Sequence, residues 1–502
     1  MTHNYTSHLK ILGEGSYGDV HKTKLNKTKE IVAIKRNFVR NNISFYGSIK
    51  ELDFLMRAKH PNIIDNKEIY FENPFSKKSQ KKIKLEIPKG FKLDHIYFGM
   101  ELGKKDGFDI IIDPKVTLKT RKQIILDLLL GLEFLHSQDI IHRDIKPSNF
   151  IQVGKMYKWC DFGMSLNYTH QDLHETKDIT TTTFRAPEII FGCKDYTSKI
   201  DIWSMGILII EILSNGRACF FNLANEGEMD DNISNKKLIP IFLGLTLESI
   251  TPAKLKKWFD YDIKIKFKNS VRSIEEIIGL NQRKINSFGS TNYKKLLDLI
   301  SKMIVFNPKK RYSATQALNH AFFKSDRSYI NKIRAQNEIK QNYNIVIIAG
   351  KQRQRGFLYF NGILSPKNKY YYYRERVMFH ALRIYDQFLN LHHNNLPRSD
   401  DDVLLYIQVC YYIAIKLFVD DYNIPTFEEL FDLNDNKLVQ DIEFYIINKV
   451  LKGKIYQKTI YELVNIKMNE QQKNELYQLY GSLKGEINIK KIAKNFEQKL
   501  KL

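Results

Sequence analysis

The spacing of polar side chains in IIHRDIKPSNF and in the CDFG that follows constrains this chain more than any other feature. Asp144 could accept or orient a hydroxyl proton, and Asn149, five residues on, could hold a metal ion. Lys146 lies between them and could neutralise charge building on a transferred phosphoryl group, while Asp161 adds a carboxylate of the kind a hard divalent cation prefers. A second constellation lies upstream. ILGEGSYGDV sets Gly13, Gly15 and Gly18 in a G-x-G-x-x-G, where missing side chains let backbone amides approach a phosphate chain. Seventeen residues beyond Gly18, Lys35 in IVAIK is expected on a strand, able to hold phosphate oxygens if a carboxylate fixes its ammonium. Glu51, in the helix-like stretch GSIKELDFLMRAKHPNII, is spaced to do so. Taken singly, a Gly-rich loop reads as a turn and a Lys with a Glu reads as a plain ion pair. Together, and in this order, they point to phosphoryl transfer from a nucleotide.

At 502 residues the chain is too long for one ordinary core, and 43% apolar with 27% charged residues is a globular composition. To about Asp94, short apolar runs alternate with turns around one helix-like stretch in which Ile49, Leu52, Leu55 and Met56 recur at helical spacing. From about Arg121 the pattern turns helical: Ile125, Leu128, Leu129, Leu132 and Leu135 make one stripe, and a helical lobe is expected to about Phe323. The basic insert over 76–92 reads as a solvated loop or extended hairpin. A polar stretch over 325–369 leads to a second helical block over 370–502. There Val377, Ala381, Ile384, Tyr385 and Phe388 form one stripe, and Val403, Ile407, Cys410, Tyr411, Ala414 and Phe418 another. Thr426 and Glu429 make a capping box that opens a further helix.

The net charge of +23 attracts phosphate, nucleic acid, acidic proteins or anionic membranes without selecting among them. Lysines interspersed with Asn, Ile and Tyr produce the same excess with no ligand at all. Four cysteines without a CxxC pair argue against a disulfide framework or a zinc site. The longest apolar stretch, Ile202 to Leu213, is too short to cross a bilayer. A soluble intracellular protein is expected, cytoplasmic or nuclear.

Over about residues 9 to 323 the chain resembles the eukaryotic protein kinase family, with FRAPE closing the motif series at Glu188. The resemblance implies a bilobal α+β fold, ATP and Mg²⁺ as cofactors and a protein substrate. Residues 1–324 would form the kinase domain. Lys146 is the residue typical of serine/threonine kinases. Asp144, Lys146, Lys35 and Glu51 take catalytic positions, and Asn149 and Asp161 take metal positions. The nucleotide site would include Ile11, Gly13, Gly15, Gly18, Val20, Ala33 and Lys35. In IYFGMELGKKDGFD, Met100 aligns with the gatekeeper, Glu101, Leu102 and Gly103 with the hinge, and Asp106 with a ribose contact. Asp201 in DIWSMG and Arg311 in NPKKRYSATQAL match structural positions of the family, where Arg311 would pair with Glu188.

Within the family, YGSIKELDFL and GEGSYG are most similar to cyclin-dependent kinases. That resemblance makes Ser16 and Tyr17 inhibitory modification sites, Thr176 the activating phosphothreonine, and Thr181 the threonine that packs against the catalytic Asp and Lys. Arg143 is available to a phosphate at Thr176 and Lys50 could help, but Leu166 occupies the place of the third arginine, so activation could rest on a cyclin alone. Over about 370–465 the helical block resembles a cyclin box. By that resemblance Lys416 and Glu443 would grip the kinase, and the block would be an all-α cyclin-like domain with a basic tail, acting on its own kinase lobe. Two other readings stay open. One is a scaffold with a vestigial kinase lobe; the other is a basic helical domain that binds nucleic acid.

Overall fold

The computed structural model describes residues 10–15, 18–25, 28–38, 48, 51, 54–55, 59–70, 95–167, 182–216, 254, 274–336, 344–347, 374–392, 400–418, 427–431, 436–451, 468–483 and 485–500. Ser16, Tyr17, Lys50, Thr176, Thr181 and the basic insert 76–92 lie outside the described residues.

The N-terminal runs form one antiparallel sheet from β1 (Lys10–Gly15), β2 (Gly18–Lys24), β3 (Ile31–Phe38), β4 (Asn66–Tyr70) and β5 (His95–Glu101), in the order β1-β2-β3-β5-β4. Register fixes which side chains share a face. Val20 lies opposite Gly13 and Lys35, Lys35 opposite Phe98, and Ala33 opposite Met100. With a side-chain period of two, these six positions line one face of the sheet. Ser48, Glu51, Phe54 and Leu55 are helical and buried.

A helical lobe follows. It contains α1 (Gly107–Ile112), α2 (Leu118–Ser137), α3 (Pro187–Ile190), α4 (Lys199–Ser214), α5 (Ile274–Ile278), α6 (Gln282–Phe288), α7 (Ser290–Met303), α8 (Ala314–Leu318) and α9 (Arg327–Ala335). Between α2 and α3 lie two short ribbons, β6 (Ile140–Ile141) with β9 (Leu166–Asn167) and β7 (Phe150–Val153) with β8 (Met156–Trp159). Thr117 caps α2 by accepting from the Thr120 N–H. The stripe read from the sequence is buried, and so are Ile124, Leu126, Leu130 and Phe134, because α2 runs through the middle of the lobe. Helix α4 carries the apolar run of Ile202 to Leu213 and is buried on all sides until Asn215, at φ 61°, ends it. Arg311 clamps the lobe. Its guanidinium donates to both Glu188 oxygens at 2.7 and 2.9 Å, to the carbonyls of Lys199 at 2.7 Å and Phe306 at 3.3 Å, and through Nε to Val305 O at 2.9 Å.

The stretch after Ser325 departs from the expected polar linker. Ile330 and Ile333 of α9 enter the core of the helical lobe, Arg334 pairs with Glu133 at 2.6 and 2.7 Å, and Tyr329 Oη donates to Asp127 at 2.8 Å. Two isoleucines at i,i+3 give a short helix an apolar edge even among charged neighbours. Farther on, the β-branched run of β10 (Asn344–Ile347) pairs antiparallel with β11 (Gly485–Asn488).

The second block consists of α10 (Arg374–His392), α11 (Asp400–Phe418), α12 (Phe427–Phe431), α13 (Asn436–Tyr445), a π-helical turn (Ile446–Val450), α14 (Glu470–Ser482) and α15 (Ile489–Leu500). It is mainly helical, with the β10-β11 ribbon as its one strand pairing among the described residues. The segment expected to be a basic tail is in part structural: Ile489, Ala493 and Phe496 of α15 are buried, while Lys490, Lys491 and Lys494 face outward. The apolar cluster of this block includes Ile96 and Phe98 of β5, with Met100 packed against it. No helix among the described residues is long and apolar enough to cross a membrane.

Asp127 joins α2, β8 and α9, accepting from Gln123 Nε2, Tyr329 Oη and the Tyr157 N–H. Burial pushes its pKa up from 3.8 to about 6. Between those values the folded state keeps a proton that the unfolded chain has lost, so this group's contribution to stability declines as pH rises from about 4 to 6. Urea unfolding at pH 4 and pH 7 should therefore favour the wild type over Asp127→Asn by about 2–3 kcal/mol more at the lower pH. A pH-independent difference would contradict the assignment.

Candidate active site

The site is built around a loop held in an unfavourable backbone conformation. Arg143 has φ 65° and Asp161 has φ 62°, left-handed values that cost a non-glycine residue about 1–3 kcal/mol. At Arg143 the conformation is held by Asp201 of α4, whose carboxylate is 1% exposed. Its Oδ2 accepts from the His142 N–H at 2.8 Å and its Oδ1 from the Arg143 N–H at 2.9 Å, and His136 Nε2 lies 2.9 Å from Oδ2. Hydrogen bonds to a charged acceptor are the stronger kind. Arg143 is engaged in turn: Nε donates to Met164 O at 2.6 Å and a terminal nitrogen to Tyr196 Oη at 3.1 Å. The His142 ring is fully buried beside Trp159 and Phe162, and burial lowers its pKa, so it is a neutral packing group.

Asp144 follows directly. Asn149 Nδ2 donates both to Asp144 O and to Asp144 Oδ2, each at 2.7 Å, and Lys146 Nζ lies 2.8 Å from Oδ2. The sequence spacing thus becomes one contact group. Donating through its nitrogen turns the amide so that Asn149 Oδ1 is left as an acceptor.

The sheet supplies the opposite wall. Lys35 Nζ donates to Glu51 Oε1 at 2.5 Å and to Asp161 Oδ1 at 3.1 Å. Asn37 Nδ2 holds the other Glu51 oxygen at 3.0 Å, a partner the motif reading missed although it lies two positions beyond Lys35 on the same strand face. Burial works to lower the Lys35 pKa, but Asp161 and Glu51 outweigh it and raise it, so the ammonium stays charged. The Lys35 charge holds the Asp161 carboxyl down at about 2. The Asp161 side chain is 52% exposed, open to a ligand on the side away from Lys35. Cys160, just before it, has its thiol pushed up by burial and is not a nucleophile.

The glycines do different jobs. A Cβ on Gly13 would meet nothing within 4 Å, which leaves room beside the sheet. A Cβ on Gly18 would fall 2.2 Å from Arg36 O, so Gly18 is required by the contact between β2 and β3.

At the other end of the cleft, Met100 and Glu101 finish β5, and Leu102 and Gly103 lead toward α1. Asp106 caps α1 by accepting from the Asp109 N–H at 2.9 Å. Ile11 stands 51% exposed on β1, and Val20 and Ala33 lie on the sheet face that carries Lys35. The donor set suits a phosphate-bound Mg²⁺. That ion takes one or two side-chain ligands and completes its shell with phosphate and water, and no cluster of three or more His, Cys, Asp or Glu among the described residues could hold a metal alone.

In the helical block, Lys416 Nζ donates to both oxygens of Glu443 at 2.8 and 3.0 Å and lies 3.8 Å from the Tyr412 ring centroid. The two residues named for gripping the kinase are thus joined to each other in a buried pair. The segment ahead of the Glu51 helix, residues 39–47, lies outside the described residues.

Comparison with known proteins agrees with this arrangement. The family model described as "Protein kinase domain" matches residues 6–323. Mitogen-activated protein kinase 3 of Oryza sativa subsp. japonica is 30% identical over 318 residues, 62% of this chain and 77% of its own length. Cyclin-dependent kinase 7 of Dictyostelium discoideum is 30% identical over 339 residues, 64% of this chain and 80% of its own length. Cyclin-dependent kinase G-2 of Oryza sativa subsp. indica is 30% identical over 327 residues, 63% of this chain, and the chain spans 41% of its length. With the match running through the whole Lys35, Asp144, Asn149 and Asp161 constellation, the chain belongs to the protein kinase family and is a serine/threonine protein kinase.

Proposed function

We propose that this enzyme is a cyclin-dependent-kinase-like protein kinase whose second helical block, within residues 370–502, serves in cis as its activating partner. In this reading ATP supplies the γ-phosphoryl group and Mg²⁺ neutralises its charge. Asp144 accepts the proton of the substrate serine or threonine hydroxyl, and Lys146, already beside that carboxylate, steadies the developing phosphoryl charge. Asn149 and Asp161 are the metal ligands. Lys35, fixed by Glu51, takes the phosphate chain, and the backbone of Glu101 to Gly103 takes the base. Residues 325–369 then act as a tether, with α9 as their anchored first part.

One observation carries the activation reading. Ile96 and Phe98 of β5 belong to the same apolar cluster as the helical block, and Phe98 stands opposite Lys35 in the sheet. The block is thereby continuous with the lobe in which the Lys35–Glu51 pair is closed. That pair is the contact whose formation marks an active kinase. Relatives named as cyclin-dependent kinases support a cyclin-type partner. A tether holds such a partner at an effective concentration of about millimolar, beyond what a free subunit reaches.

Asp144→Asn should lower kcat by about a thousandfold with little change in KM for ATP. Asp201→Asn should lower kcat about a hundredfold while the protein stays folded by circular dichroism, because an amide oxygen and an NH₂ group cannot together accept from two N–H groups. For activation in cis, a protease site placed within 348–373 allows the tether to be cut in the folded enzyme. Activity of the cut enzyme should persist at high concentration and fall on dilution, while the uncut enzyme keeps its specific activity. Loss of the helical block on dilution without loss of activity would defeat the proposal.

A further inference from the structure

Outside the catalytic constellation, one ion pair joins the end of β5 to β8. Lys158 of β8 is 12% exposed and Glu101, the last residue of β5, is 15% exposed, and Lys158 Nζ donates to Glu101 Oε1 at 2.5 Å. The same Oε1 accepts from the Asp65 N–H at 2.8 Å, and the Glu101 N–H returns a bond to Asp65 O at 3.2 Å. Three segments meet at this carboxylate: the end of β5, the turn before β4 and the strand leading to Asp161.

Backbone contacts bring the same segments together. Trp159 and Ile64 exchange bonds with the other segment through Asn62 O and Trp159 O, both at 2.9 Å. Lys104 and Lys105 bond to Gln152 of β7 at 2.8 and 3.0 Å. Gly103 lies against Ile151, the β7 residue that pairs with Lys158, so close that an added Cβ would stand 2.9 Å from Ile151 Cδ1. Among the described residues, Lys158–Glu101 is the ion pair that joins β8 to the end of β5. Lys158 and Glu101 pair with each other and not with Asp144, Lys146 or Asn149.

We propose that Lys158 is a positioning residue for nucleotide binding: by holding the Glu101 carboxylate it fixes the backbone of Glu101 to Gly103 relative to β8. The proposal rests on the reading of Glu101 to Gly103 as the base-binding segment. Without the ammonium, the Glu101 carboxylate keeps a single backbone donor in a largely buried site and turns toward water, carrying the end of β5 with it. The base then loses its aligned backbone partners, while Lys35, Asp161 and Asn149 stay where they are. The penalty falls on binding of the nucleoside, and the chemical step at the phosphate is spared.

The test measures ATP and inorganic tripolyphosphate binding to the full chain, together with steady-state kinetics. The wild type should bind ATP more tightly than tripolyphosphate. Lys158→Met should raise KM for ATP about tenfold with kcat changed less than about twofold, and should leave tripolyphosphate binding unchanged. Lys158→Arg should restore KM to within about twofold of the wild type. If Lys158→Met proves too unstable to assay, Glu101→Gln with Lys158→Met removes both charges and should show the same selective loss for ATP. Equal weakening of tripolyphosphate, a fall in kcat at unchanged KM, or failure of arginine to rescue would overturn the positioning role. A wild type with no preference for ATP over tripolyphosphate would overturn the base-segment reading, and this proposal with it, before any variant is made.

Discussion

The buried carboxylate of Asp201 is the constraint on which the rest of the site depends. It sits on α4, which is enclosed by the helical lobe on every side, and it receives the N–H groups of His142 and Arg143. A left-handed Arg143 between β6 and Asp144 would otherwise relax, and Asp144 would turn away from Asn149 and Lys146. The lobe needs α4 as its apolar axis in any event. Placing one acid in that axis converts packing into the orientation of a loop. Ser204, one turn along, does the same for the far end of the segment by donating to Phe184 O at 2.6 Å.

The sheet solves a different problem, that of holding a cation where apolar surface is being buried. Lys35 lies opposite Phe98 on the sheet face that also carries Met100, and burial works against its charge. Two carboxylates from separate parts of the chain prevent this, one from the Glu51 helix and one from the strand end after β8. The ion pair is therefore a joint between the sheet and the strand end after β8. Met100 packs against both the core of the helical lobe and the core of the second block.

The sequence spoke most clearly where chemistry needs fixed residue types. Lys35, Glu51, Asp144, Asn149 and Asp161 could be named from spacing and resemblance, and the structure brings them into two adjoining contact groups. The stripe of Val377, Ala381, Ile384 and Tyr385 was legible as a period, but it understates the burial, since Met378, Phe379, His380, Leu382 and Asp386 on the other faces are buried too. What escaped had no local signature. Asn37 and Lys158 are ordinary strand residues whose partners lie fourteen and fifty-seven positions away. The strands β10 and β11 are four residues each, too short to show alternation, and they pair across most of the second block. Helix α9 carries so many charges that its two isoleucines did not stand out, although Arg334 and Tyr329 bind it firmly to α2.

The β10-β11 ribbon has a consequence in time. Its first strand leaves the ribosome soon after the kinase lobes are complete, but its partner follows only after the intervening helices have been made. At ~5–20 residues per second, those roughly 140 residues separate the two strands by about seven to thirty seconds. Until then Ile96 and Phe98 lack part of the apolar cluster they belong to. A kinase lobe that shares an apolar cluster with residues as far along as Phe496 cannot complete that packing until they have been made.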